Sequence, residues 1–162
     1  PLERLWIGPG ATAADPRELL VRVDVPAPAP ATGSAYVRLE YRRQMEIAVV
    51  GVTAVVRLDA GSVSDARVAI TALAPTIRRV SEAEAALIGS DGGDEAIAEA
   101  AHAAASGSSP ITDVRSSAEY RSAMANVIAR RAIVVALARA RGEHVPIPAS
   151  AATYASVGGT SM

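Results

Sequence analysis

The amino-acid sequence predicts an α+β fold, in which an antiparallel sheet of three to four strands is covered on one face by about three helices. In the first half of the 162-residue chain apolar residues recur at every second position, whereas in the second half they recur at helical spacing. Short turn sequences separate the alternating segments, and strands joined by short turns pair antiparallel. Strands followed by helices are typical of a sheet whose apolar face packs against a helical layer.

An arm and a connector are predicted over residues 1–33. Gly8-Pro9-Gly10 and Asp15-Pro16 are loop signals. Apolar residues alternate at about 18–25, which predicts a half-buried strand there. Prolines then alternate with alanine over 26–30. Because each proline fixes φ and lacks a backbone donor, we expect an extended connector.

The predicted sheet is built from segments 35–41, 47–58 and 66–74, in which apolar residues again alternate. In the middle segment one face is wholly apolar, so we expect one face of the sheet to be covered. Asp59-Ala60-Gly61-Ser62 predicts a hairpin turn between the last two strands, and Pro75 ends the last one.

Two shorter helices are predicted to follow the sheet. Ser81 with Glu84 forms a capping-box pattern, which predicts a helix over about 81–88, before a glycine. Asp94 is predicted to cap an alanine-rich helix that ends at about residue 105.

The longest predicted helix begins at a second capping-box pattern, Ser116 with Glu119, and runs to about residue 141. After it the chain becomes rich in proline, serine and glycine, which predicts a disordered tail over 143–162 and a compact domain over 34–142. Apolar residues at helical spacing form the predicted buried stripe of this helix: Tyr120, Met124, Val127, Ile128, Val134, Val135 and Leu137.

The composition limits both the core and the chemistry. Half of the residues are hydrophobic but aromatics are 3% and phenylalanine is absent, so a thin, closely packed core of Val, Leu, Ile and Ala is expected. The net charge of -1 gives no attraction for nucleic acid. Without cysteine the chain cannot form disulfides or ligate an iron–sulfur cluster.

Other kinds of site are not expected either. His102 and His144 lie in different segments, so we predict no metal site. No nucleophile stands beside a candidate base, so we predict no catalytic residue. No apolar run is long enough for a membrane span. Leu2-Glu3-Arg4 does not resemble a signal peptide, and we expect a cytoplasmic location.

The segment 35–52 runs from an alternating strand into the basic pair Arg42-Arg43, then into Glu46 and Ile47-Ala48, which open an apolar strand. It resembles the opening of the C-terminal domain of molybdenum-hydroxylase flavin subunits, the FAD-binding medium subunits of the carbon monoxide dehydrogenase and xanthine dehydrogenase type. Further blocks are similar to that family in the same order and, with this segment, cover about residues 1–140: 1–10, 18–26, 61–76 and 111–121.

The resemblance implies an oxidoreductase made of several subunits. A large subunit with a molybdenum centre would oxidise the substrate, and electrons would pass through iron–sulfur clusters of a small subunit to FAD and then to an acceptor. The family's FAD-binding N-terminal half has no counterpart here, so residues 1–33 are interpreted as its trailing arm. We therefore expect a chain that is not catalytic alone and does not bind FAD tightly alone.

By the same resemblance, Arg38, Tyr41, Arg42 and Arg43 are candidate cofactor-binding residues. Arg38 stands where the family often carries a lysine near the isoalloxazine ring, and a cation there stabilises charge on the reduced flavin. Alternatives stay open: Arg38 paired with Glu40 as a solvated strand residue, and Tyr41 packing against the sheet.

The basic pair Arg42-Arg43 also has a structural alternative, in which one arginine pairs with Glu46 and fixes the turn. For Asp113 and Arg115 an ion pair and helix capping are favoured over catalysis. At the level of the whole chain, the alternative to a flavin-subunit domain is a stand-alone, non-enzymatic α+β interaction module or a truncated remnant.

Overall fold

The computed structural model describes residues 4–42 and 45–147, and it has the predicted α+β architecture. A small hairpin forms in the arm, and a four-stranded antiparallel sheet in the order β3-β4-β5-β6 forms the body. The elements are β1 (Trp6–Gly8), β2 (Ala11–Thr12), β3 (Thr32–Leu39), β4 (Val50–Asp59), β5 (Ser62–Thr71), β6 (Arg78–Arg79), α1 (Ser81–Leu87), α2 (Asp94–Ser106) and α3 (Ala118–Ala140).

The hairpin between β4 and β5 forms where it was predicted. Its tip, Ala60 and Gly61, has φ values of 47° and 86°, which is the left-handed pair that a two-residue hairpin turn requires. Asp59 pairs with Ser62 directly beneath the tip. The short edge strand β6 was not predicted, because two residues carry no alternation.

One face of the sheet and the inner faces of the helices form the core. Val37, Val52 and Ile70 are fully buried on that face. Helix α3 packs on β3 and β4, α2 packs beside α3, and α1 packs on α2 and β5. The buried side of α3 is largely alanine, which lets the helix lie close to the sheet and confirms the expected close packing: Ala125, Ala129, Ala132, Ala136 and Ala140.

The buried stripe predicted for α3 was partly wrong. Tyr120 and Val134 are 46% and 44% exposed, whereas Ile128 and Leu137 are buried as expected. Most of the buried face of α3 consists of short alanine side chains. Because the prediction used only the large apolar residues, it included some that face the solvent.

The capping predictions also need correction. Helix α3 is capped by Ser117, not Ser116, and its side chain accepts from the Tyr120 backbone N–H. Gly93 caps α2, with Asp94 as the first helical residue. Val80, not Ser81, caps α1, and its apolar side chain has no atom that could accept a hydrogen bond from the helix.

The strand predicted at about 18–25 is not formed within the described residues. Leu19 and Val21 are 85% and 86% exposed, and no strand is assigned there. A strand needs a neighbour to pair with, and no described segment supplies one.

The first residues of the predicted tail are bonded to the long helix. Arg139 donates to the carbonyl oxygens of Val145 and Pro146 at 3.1 and 2.9 Å. Residues 148–162 lie outside the described residues.

Candidate functional site

The candidate site lies at the end of the sheet where β3 leads into β4. We call the described residues that join these strands, 40–42 and 45–49, the corner loop. Arg38 lies near the end of β3, and Tyr41 and Arg42 lie in the corner loop, so three predicted cofactor-binding residues share one end of the sheet. Arg43 lies outside the described residues.

Arg38 lies opposite Gly51 in the register of β3 with β4, on the face of the sheet away from the helices. Its Nε is 2.5 Å from Glu40 Oε2, and the two side chains are 33% and 19% exposed. This contact is an ion pair and not a well-directed hydrogen bond, since Glu40 Oε2 has no aligned donor among the described residues. The ion pair between Arg38 and Glu40, left open from the sequence as an alternative to a cofactor-binding role, is therefore observed.

The surface beside Arg38 is shallow. A Cβ atom at Gly51 would lie 2.8 Å from the Tyr36 hydroxyl oxygen and 3.2 Å from Thr71 Oγ1, so the Tyr36 side chain covers this glycine. The small residue lets the tyrosine lie close to the sheet.

Arg42 is held within the corner loop. Its Nε lies 3.2 Å from Glu46 Oε2, and its Nη2 donates to the Met45 carbonyl oxygen at 2.8 Å. Met45 itself has a positive φ of 51° and lies at the exposed tip of the loop. The pairing of an arginine with Glu46 to fix the turn, one of the two interpretations left open, is thus observed for Arg42.

Tyr41 connects the corner loop to the segment before α3. Its hydroxyl donates a short hydrogen bond to the Arg115 carbonyl oxygen. The residue is otherwise exposed, so it does not pack into the sheet as the structural alternative proposed. Through this bond the corner loop contacts a cluster of charged side chains.

Asp113 is the acceptor at the centre of that cluster. The Arg115 backbone N–H donates to its Oδ1 at 2.8 Å, Arg121 Nη2 donates to the same oxygen at 2.7 Å, and Arg115 Nη2 donates to Oδ2 at 2.9 Å. The Arg115 N–H first, and then the two guanidinium groups, lower the pKa of Asp113 from 3.8 to about 2, although burial acts in the opposite direction. Asp113 thus forms the ion pair favoured from the sequence, whereas the helix is capped by Ser117 and not by Asp113.

This lowered pKa predicts a specific acid sensitivity. A carboxylate whose pKa is depressed in the folded state stabilises the fold at pH values above its ordinary pKa, and the contribution is lost as pH falls through the folded value of about 2. We expect Asp113→Asn to melt below the wild type at neutral pH, and the difference to shrink steadily below about pH 4. Melting curves of both proteins across pH check this, and a difference independent of pH would contradict it.

Arg121 is the residue of the cluster that the sequence prediction missed. It lies in the first turn of α3 and is 3% exposed. Its Nη1 donates to the Val49 carbonyl oxygen at 2.9 Å and contacts the Ala72 carbonyl oxygen at 3.4 Å. A signal was available, because Arg121 stands four and seven residues before the buried Ala125 and Ile128, on the inner face of the helix.

A cleft of about 340 Å³ lies between the corner loop and this cluster. Its walls are mainly apolar, and Arg115 and Arg121 lie on one side with Asp113. Among the described residues, no nucleophile that lines the cleft is paired with a base. Its apolar wall includes Ile47, Ala48, Pro75 and Ile111.

Within residues 4–42 and 45–147, no three His, Cys, Asp or Glu side chains converge as metal ligands would. In the same ranges no helix combines the length and apolar character that a bilayer crossing demands.

The strands and the segment that form the candidate site lie within a region similar to known proteins. A family model for the CO dehydrogenase flavoprotein C-terminal domain matches residues 35–136. The carbon monoxide dehydrogenase medium chain of Hydrogenophaga pseudoflava is 35% identical over 139 residues, which are 86% of this chain and 48% of that one. The 6-hydroxypseudooxynicotine dehydrogenase complex subunit alpha of Paenarthrobacter nicotinovorans is 36% identical over 142 residues, 87% of this chain and 48% of that one.

Solved structures share the fold. A carbon monoxide dehydrogenase structure from Hydrogenophaga pseudoflava superposes with a TM-score of 0.80 at 39% identity, covering 85% of this chain and 47% of that chain. Quinoline 2-oxidoreductase from Pseudomonas putida 86 gives a TM-score of 0.76 at 28% identity, covering 86% and 47%. The chain thus spans about half the length of the relatives that it matches.

Proposed function

Because this chain belongs to the CO dehydrogenase flavoprotein C-terminal domain family, we propose that it is the C-terminal domain of an FAD-binding subunit of a molybdenum hydroxylase. In this proposal a molybdenum subunit oxidises the substrate and an iron–sulfur subunit conducts electrons to the flavin subunit. The observation that carries the proposal is the family match over residues 35–136, which includes the corner loop.

The corner loop and the end of β3 are proposed as one wall of the flavin site. FAD, when bound, supplies the electron-accepting chemistry, and the protein positions it and tunes its charge. The geometry fits such a wall and not a complete site. Arg38 and Arg42 present cations at an open surface, and no described segment encloses a ligand there. The second wall would come from an FAD-binding half outside residues 1–162.

The proposed roles follow from the ion pairs. Glu40 holds the Arg38 guanidinium at the edge of the shallow surface that Tyr36 covers, so the positive charge is placed before any ligand arrives. Arg42, held by Glu46 and the Met45 carbonyl oxygen, is similarly fixed in the loop. Tyr41, Arg42 and Arg43 are proposed to face the cofactor beside Arg38.

The exposed apolar residues of the arm support the proposal that the domain packs against an FAD-binding half. Leu19, Val21 and Val25 are 84–86% exposed, although their alternation is that of a half-buried strand. Exposed apolar alternation of this kind is a hazard for a soluble chain unless it pairs with another edge. We propose that residues 18–25 pair with a sheet edge of the FAD-binding half.

The proposal predicts FAD binding only by the assembled subunit. Alone, the chain should give no tight, stoichiometric quenching of FAD fluorescence. Co-produced with its FAD-binding half, it should retain FAD through gel filtration. Arg38→Gln in that assembly should weaken FAD retention by roughly tenfold, because a hydrogen bond to a charged group contributes about 1.5–3 kcal/mol.

Arg67→Gln is the matched control. Arg67 lies on the same outer face and pairs loosely with Asp65 at 3.7 Å, but it is distant in register from Arg38. It should leave FAD retention unchanged. Tight FAD binding by the isolated chain, or equal losses in the two variants, would contradict the proposal. A chain that assembles with no FAD-binding half would instead support the stand-alone interaction module.

A further inference from the structure

The corner loop is attached to the body of the domain at both of its ends. At its far end, the Val49 carbonyl oxygen accepts from Arg121 Nη1 at 2.9 Å. At its near end, the Tyr41 hydroxyl donates to the Arg115 carbonyl oxygen. Among the described residues between these points, Arg42 pairs locally with Glu46.

Both attachments lead to one buried guanidinium. Arg121 bonds Val49 directly, and its Nη2 donates to Asp113 Oδ1 at 2.7 Å. Asp113 in turn holds Arg115 through its backbone N–H at 2.8 Å, and it is the carbonyl of Arg115 that receives Tyr41. A displacement of Arg121 would therefore remove the bond to the Val49 carbonyl oxygen and one of the bonds that hold Asp113, so both attachments would be weakened. The Val49 N–H would still donate to the Leu39 carbonyl oxygen at 2.9 Å.

The chemistry of arginine suits this task. A guanidinium is planar and always charged, and its several donors point in fixed directions, so one group can bond a carbonyl and a carboxylate simultaneously. A lysine ammonium at the same place keeps the charge but lacks the fixed fork. Burying a cation at 3% exposure is costly without such partners, and Arg121 has both kinds.

We propose that Arg121 is a positioning residue, which acts through Val49 and through Asp113 and Arg115 to hold the corner loop in the geometry that faces the flavin. The flavin part of this inference rests on the proposed function, whereas the attachment of the loop does not. Arg121 does not itself touch the cofactor in this proposal. It sets where Tyr41 and Arg42 stand.

Limited trypsin digestion tests the attachment in the chain itself. Arg42 and Arg43 are trypsin sites between β3 and β4 in the sequence, and Arg17 and Arg22 in the exposed arm serve as internal reference sites. Mass spectrometry follows each cleavage in the same sample. Loss of a charged hydrogen bond should raise the open population of the loop, and hence cleavage after Arg42 and Arg43, about tenfold or more.

Two variants that remove an attachment are compared with one control variant that keeps both. Arg121→Lys removes the fork, and Tyr41→Phe removes one attachment without changing charge or the buried core. Both should speed loop cleavage relative to the arm, with far-UV circular dichroism unchanged. Tyr120→Phe, an exposed tyrosine on the adjacent residue of α3, should have no effect. Unchanged loop cleavage in folded Arg121→Lys and Tyr41→Phe would overturn the inference.

A second measurement, on FAD bound to the assembled subunit, tests the role of the loop at the flavin independently of loop cleavage. In the assembled subunit, Arg121→Lys should alter the absorbance spectrum of bound FAD and reduce its retention, while Tyr120→Phe leaves both unchanged. If Arg121→Lys speeds loop cleavage yet leaves bound FAD unaltered, the attachment stands and the proposed role of the corner loop at the flavin fails. If loop cleavage is unaltered, the attachment fails whatever the flavin does.

Discussion

Gly33→Ala is expected to destabilise this domain by about 3 kcal/mol or more, because overpacking against rigid backbone falls at or beyond the upper end of measured costs. A Cβ atom at Gly33 would lie 2.0 Å from the Ala136 carbonyl oxygen and 2.4 Å from the Ala140 backbone nitrogen. These are backbone atoms of α3, so relief requires the helix to move away from β3. That movement would open the contact on which the core depends.

Chemical denaturation followed by circular dichroism measures this loss. The single tryptophan, Trp6, lies in the arm and is a poor reporter of the core. Ser34→Ala is the control, because Ser34 is the next residue of β3, is exposed and should stay within about 0.5 kcal/mol of the wild type. A Gly33→Ala protein as stable as Ser34→Ala would mean that α3 does not lie this close to the sheet.

Glu84→Ala is expected to cost about 2–3 kcal/mol, since it leaves a buried donor without its acceptor. Glu84 Oε1 accepts from the Val68 backbone N–H at 3.0 Å and from Arg79 Nε at 2.9 Å, and Oε2 accepts from Arg79 Nη2 at 2.7 Å. The bond to Val68 ties α1 to β5. The ion pair contributes less, because the Arg79 side chain is 45% exposed and partly screened by solvent.

Glu84→Gln distinguishes these contributions. The amide oxygen can still accept from Val68, whereas the charge that faces Arg79 is lost. We expect a loss of about 1 kcal/mol, clearly smaller than for alanine. Equal losses for the alanine and glutamine variants in urea denaturation would show that the ion pair, not the backbone bond, makes Glu84 important.

Several features were predictable because they depend on neighbouring residues. The alternation in β4 and β5 and the Ala60-Gly61 turn between them specify a hairpin without reference to the rest of the chain. The pairing of Arg38 with Glu40 spans two residues on one strand face, and that of Arg42 with Glu46 spans a single turn. The order of these local patterns also identified the family.

The contacts of Glu84 and Arg121 could not be predicted from neighbouring residues in the sequence. Glu84 matches a capping box in sequence, yet its carboxylate bonds β5 and β6, because packing of α1 on the sheet offers it a buried N–H and a guanidinium. Arg121 follows the helical spacing of the buried face, yet only the packing of α3 on the sheet brings it to Val49, which is 72 residues away in the chain.

The sequence alone determined the α+β class, the succession of β3, β4 and β5 followed by three helices, and the family, since each rests on residues close together in the chain. Only the tertiary structure decided which polar groups meet beneath the corner loop, that Gly33 lies against the backbone of α3, and that residues 18–25 have no partner among the described segments. The physical reason is that a buried charge or an unpaired strand is defined by what lies next to it in space, and that neighbour comes from a distant part of the chain or from another chain.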